Sequence, residues 1–64
     1  MKHELDFYLD GMLFASRYSE VIPIVGDEVR LKTMVIYKVT RRVLVFNENA
    51  VALTRVALDI EEIT

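Results

Sequence analysis

His3-Glu4-Leu5-Asp6-Phe7-Tyr8-Leu9-Asp10-Gly11-Met12-Leu13-Phe14-Ala15-Ser16 is the stretch whose reading decides the fold. Leu5, Phe7 and Leu9 alternate with Glu4, Asp6, Tyr8 and Asp10, the period of two expected of a half-buried strand. Asp10-Gly11 then interrupts two apolar runs. That dipeptide favours a type I′ turn, because both central residues of such a turn need positive φ. Folding on it places Leu9 opposite Met12, Phe7 opposite Phe14 and Leu5 opposite Ser16. Glu4 then faces Arg17 on the other side, so the register is sensible for charge as well as for burial.

Beyond this hairpin, Arg17 to Glu20 is polar and reads as a loop. Pro23 in Val21-Ile22-Pro23-Ile24-Val25 cannot donate to a ladder, which makes this stretch an edge or an irregular crossing. Gly26-Asp27 turns the chain into a strand where Val29 and Leu31 alternate with Arg30 and Lys32. A further turn is expected near Thr33 and Met34. Val35 to Phe46 is a long β-branched and aromatic run. Asn47-Glu48-Asn49 is the next turn, and with Glu48-Asn49 at its centre Phe46 faces Val51, Leu44 faces Leu53, Arg42 faces Arg55 and Lys38 faces Asp59. The other face of this pair carries Tyr37, Val39, Val43 and Val45 against Ala52, Val56, Leu58 and Ile60.

The segment 50–63 has two readings. Val56-Leu58-Ile60 alternates as a strand does, but Leu53, Val56, Ala57, Ile60 and Ile63 also fit a helical face with Asn49 as N-cap. The strand is favoured by its β-branched residues. The fold class expected is all-β: about five short antiparallel strands in a bent meander, closed into a small SH3-like or OB-like barrel. Residues 1–64 form one domain.

The stretch Ile22-Pro23-Ile24-Val25-Gly26-Asp27-Glu28-Val29-Arg30-Leu31, followed by Tyr37-Lys38-Val39 and by Val56-Ala57-Leu58-Asp59-Ile60, resembles short bacterial and phage-associated proteins sharing a P-x-V-G-D-x-V-x-L … Y-x-V pattern. The likeness spans roughly two-thirds of the chain and consists of turn and core positions. Two departures stand out: no Gly near Thr33, and Leu44 or Val45 where an aromatic is common. The resemblance implies an all-β meander and brings no activity with it.

Composition narrows the function. A domain of 64 residues buries only about 60% of the surface of its unfolded chain. Disulfides, metals or oligomerisation usually compensate for this. The chain has no Cys, and its one His is His3, so disulfide and zinc stabilisation are disfavoured and self-association is the remaining route. No cofactor is expected. Met1 to Asp6 lacks the basic start and apolar run of a signal peptide, and no apolar run nears the ~18 residues of a membrane span, so a cytoplasmic location is expected.

Catalysis has little to stand on. Ser16 and Ser19 lack a suitably spaced His, and Asp27, Glu28, Glu61 and Glu62 fall in turn or terminal positions where solvation explains them. The two Gly residues form no phosphate loop. The chain is therefore read as a non-enzyme that binds protein, itself included, as a homodimer or with another partner. The surface indicated is the end of the last hairpin, where Leu44, Phe46, Val51 and Leu53 make a second apolar face that one packed sheet does not need.

The alternative is a nucleic-acid-binding barrel. Arg30, Lys32, Lys38, Arg41 and Arg42 lie in a stretch without acids, with Tyr37 or Phe46 available for stacking. Against it stand the net charge of −2 and the pI near 5.2, together with the acidic outer strands that could pair with this basic centre. Arg42 opposite Arg55 would be unfavourable. It signals either a shifted register or an anion held between two guanidinium groups.

Overall fold

The computed structural model describes residues 2–32, 34–48 and 52–63. Among the described residues five strands follow one another, with no helix: β1 His3–Leu9, β2 Met12–Ser19, β3 Glu28–Lys32, β4 Val35–Phe46 and β5 Leu53–Glu62. They form one curled sheet in the order β2-β1-β5-β4-β3. The segment that could be read as helix or strand is therefore strand: Val56, Leu58 and Ile60 point into the core while Asp59 and Ala57 lie on the other face.

The expected meander is corrected at one junction. β1 and β5 pair in parallel, and the other three ladders are antiparallel. The first hairpin docks on the last strand because the apolar rows match there. Leu5, Phe7 and Leu9 stand beside Val56, Leu58 and Ile60 in register. β3 offers only Val29 and Leu31 inward, and the Pro23 crossing before it cannot continue the β2 ladder. That crossing instead lays Ile22 against the core and reaches β4 at a corner. There Asp27 N–H donates to the Ile24 carbonyl at 3.0 Å, and Ile24 N–H donates to Asp27 Oδ2 at 2.9 Å. Gly26, with φ of 99°, donates to the Val39 carbonyl, and Val39 N–H donates back to the Asp27 carbonyl. The Gly26-Asp27 turn is thus where the sequence places it.

Bulges curl the sheet, since each extra residue bends its strand and increases the local twist. The Asp10-Gly11 turn has the positive φ values expected, 54° and 81°, and Leu9 does face Met12. Phe14 then has no partner, so Phe7 faces Ala15, Leu5 faces Arg17 and Glu4 faces Tyr18, one residue off the expected pairing. The freed Phe14 ring reaches the Tyr37 ring of β4, centroids 5.3 Å apart. Lys32 Nζ sits 4.5 Å from the Phe14 centroid, and Arg17 donates to the Leu31 carbonyl at 3.1 Å. The two edge strands, β2 and β3, are thus clasped by side chains and not by a ladder, which makes a half-barrel. Its core is Leu5, Phe7, Tyr37, Val39, Val56, Leu58 and Ile60.

In the β4–β5 ladder the residues without partners are Thr40 and Thr54. Each hydroxyl donates across the ladder, Thr40 Oγ1 to the Asp59 carbonyl and Thr54 Oγ1 to the Val45 carbonyl. The register differs from the expected one by two residues already at the turn, by a third past Thr54, and by two again past Thr40. Phe46 faces Leu53, Leu44 faces Val56, Arg42 faces Leu58, Arg41 faces Asp59 and Lys38 faces Glu61. The faces change accordingly: Leu44 and Arg42 lie on the core side with Val39, and Val43 and Val45 lie on the outer side with Ala57 and Arg55.

Candidate functional site

β4 is twelve residues long, and only its first part has neighbours on both sides. β3 pairs with it from Val35 to Lys38, and the Gly26-Asp27 corner takes both backbone groups of Val39. Beyond Val39, among the described residues, only β5 lies beside β4. The direction of the remaining backbone groups follows from the alternation along a strand. The Val45 carbonyl accepts from Thr54, and Asn47 N–H donates to the Ala52 carbonyl at 3.2 Å, so residues 45 and 47 turn toward β5. Arg42, Leu44 and Phe46 therefore turn their N–H and C=O groups outward. Among the described residues, no backbone hydrogen bond from outside this hairpin reaches them.

The side chains along that open edge are the ones expected to form an interface. Leu44 is 40% exposed and Phe46 54%. Leu53 is half-buried and packs against the core, so it supports the surface more than it forms it. Val51 lies outside the described residues. Unpaired backbone beside exposed apolar side chains is a template for another strand, which natural sheets ordinarily blunt. Other exposed apolar residues, Met12, Leu13, Val25 and Met34 among them, sit at or beside turns. The β2 edge that carries Met12 and Leu13 also has no ladder partner, but it faces β3 and is held to it through Arg17, Lys32 and Phe14.

The five basic residues are all exposed, but they do not form one strip. Lys38 lies between Glu28 and Glu61 in register, and Arg41 lies opposite Asp59. Lys32 is engaged with the Phe14 ring. Arg30 borders a shallow open depression of ≈ 390 Å³ with Glu28, Val29 and Ile36. Arg42 is on the opposite face of β4 from Arg41. Tyr37, expected as a stacking platform, is 4% exposed and belongs to the core. The proposed pairing of Arg42 with Arg55 does not occur, because the turn is two residues longer than expected and the Thr54 bulge adds a third; Arg42 is beside Leu58, and Arg55 bonds Asp6.

Arg55 meets a residue that alternation assigned to solvent. Asp6 is 3% exposed, flanked on the outer face by β2 and β5. Ser16 Oγ donates to its Oδ1 at 2.8 Å, and Arg55 Nη1 donates to its Oδ2 at 3.3 Å. A buried carboxylate must be paired and hydrogen-bonded, and here one side chain ties β1 to both neighbours. Once the hairpin is folded Ser16 stands beside Asp6, a juxtaposition that the one-residue bulge at Phe14 hides from the sequence. The Ser16 hydroxyl is thereby part of a structural contact.

No known protein family matches the chain, and neither curated proteins nor solved structures yield a significant match.

Proposed function

We propose that this protein is a small cytoplasmic protein-interaction module that self-associates through the second half of β4, with Leu44 and Phe46 as its apolar contacts. The observation that carries this reading is the open edge from Thr40 to Phe46, where outward backbone groups and exposed apolar side chains coincide. A second argument is size. A chain this short has a small core, has no disulfide to reinforce it, and gains stability from burying further apolar surface against a copy of itself. Among the described residues no helix is long and apolar enough to cross a membrane.

The test is sedimentation of wild type and of a Leu44→Thr, Phe46→Thr variant at low and high salt. The reading expects wild type to associate with little salt dependence and the variant to run as a monomer with an unchanged circular dichroism spectrum. Binding to nucleic acid that weakens steeply with salt and is lost in Arg41→Ala, Arg42→Ala would favour the other reading, because phosphate contacts release counterions.

A further inference from the structure

The open edge has a side-chain order that selects one way of pairing with a second copy. A two-fold contact between two β4 edges is antiparallel and places outward-turned residues opposite outward-turned residues. The registers compatible with Arg42, Leu44 and Phe46 pointing out are few. One sets Arg42 opposite Leu44 of the other copy, one sets Leu44 opposite itself, and one sets Leu44 opposite Phe46. Only the last also brings Arg42 level with Glu48 of the other copy, which stands in the turn two residues past the end of β4, at both ends of the contact.

Both charges are available for that role. Arg42 and Glu48 are exposed, and among the described residues neither has an ion-pair partner within its own chain. Every other positive residue near this edge, Lys38 and Arg41, already stands opposite an acid. Resting on the self-association reading above, we infer that two copies join edge to edge through β4, with Leu44 against the second copy's Phe46, Arg42 against its Glu48, and Val45 against its Val45 on the two-fold axis. The product is a continuous ten-stranded sheet. The apolar pair supplies contact area, and the charge pair fixes register, since a slip of two residues separates Arg42 from Glu48.

This arrangement makes the occupant a second copy of this chain and not an arbitrary strand. The complementarity is internal to one sequence, Arg42-x-Leu44-x-Phe46-x-Glu48, which reads as its own partner when reversed. Base meets acid and aliphatic meets aromatic.

Two experiments test it. Arg42→Glu and Glu48→Arg each put like charges together twice per dimer, so each variant alone should associate at least about tenfold more weakly than wild type. An equimolar mixture of the two should recover association, because in a mixed dimer the two edge positions of each variant chain carry charges opposite to those they meet on the other. The chain contains no Cys, so a single introduced thiol reports register without background. Under mild oxidation Val45→Cys should form a disulfide-linked dimer, because a non-hydrogen-bonded pair on the axis has the short Cα separation a disulfide requires. Val43→Cys and Leu44→Cys should not.

Cross-linking at position 43 or 44 in place of 45, or charge reversals without effect and a mixture that recovers nothing, would overturn this pairing. The self-association reading would survive that result if Leu44→Thr, Phe46→Thr still yields monomers. A monomeric wild type would remove both.

Discussion

Replacing Asp6 by Ala removes a side chain that joins β1 to β2 and β5 at once. Its carboxylate is almost wholly buried and accepts from Ser16 at 2.8 Å and from Arg55 at 3.3 Å. A hydrogen bond to a charged group contributes about 1.5–3 kcal/mol net. The Ser16 bond is the shorter and belongs toward the middle of that range. Arg55 is half exposed, with a side-chain accessibility of 51%, so solvent screens its bond to about 0.5–1 kcal/mol. Asp6→Ala should therefore cost about 2–3 kcal/mol, and Asp6→Asn, which keeps an acceptor for Ser16, about 1–2 kcal/mol. Arg55→Ala should cost no more than about 1 kcal/mol, because the carboxylate keeps its Ser16 bond. The assay is urea unfolding followed by circular dichroism at one fixed protein concentration, since association shifts the midpoint by mass action. With a urea dependence of about 1 kcal/mol per M for a domain this small, Asp6→Ala should lower the midpoint by about 2–3 M. If Asp6→Ala costs less than about 0.5 kcal/mol, or if Arg55→Ala costs as much as Asp6→Ala, the role assigned to Asp6 is wrong.

Leu58→Ala should leave the chain largely unfolded at 25 °C: Leu58 is wholly buried, its truncation costs about 2–5 kcal/mol, and a core of this size supplies about 3–5 kcal/mol; a native circular dichroism spectrum would contradict this. Gly26→Ala has room for its methyl group, since nothing lies within 4 Å, but holds φ at 99°, so it should cost about 1–2 kcal/mol through backbone strain alone. Unchanged thermal unfolding of that variant would contradict it.

The local elements are legible in the sequence because their signals are local. Asp10-Gly11 makes its turn, Pro23 breaks its stretch, and Val56-Leu58-Ile60 alternates as a strand should. The registers are harder to read. In the β1–β2 and β4–β5 ladders Phe14, Thr40 and Thr54 drop out, the β3–β4 ladder slips between Val29 and Lys32, and each irregularity shifts every pair beyond it. A bulge leaves no mark in a period-two pattern except the pairs it spoils. Arg42 opposite Arg55 marks a wrong register of another kind as well, since Phe46 already faces Leu53 and the turn is two residues longer than its sequence suggests. The parallel β1–β5 contact joins residues some fifty positions apart, which neither turn chemistry nor periodicity can report. At the candidate surface, Leu44 and Phe46 are visible in the sequence as excess apolar residues. The open backbone beside them is not, because it depends on where β3 stops.

The central claim is that this half-barrel covers its open β4 edge with a second copy of itself, and the direct measurement is the solution mass of the wild-type chain by light scattering across a concentration series. The account predicts a mass twice that of the 7.4 kDa chain at micromolar concentration, falling toward the chain mass on dilution. A mass of one chain at every concentration would contradict it.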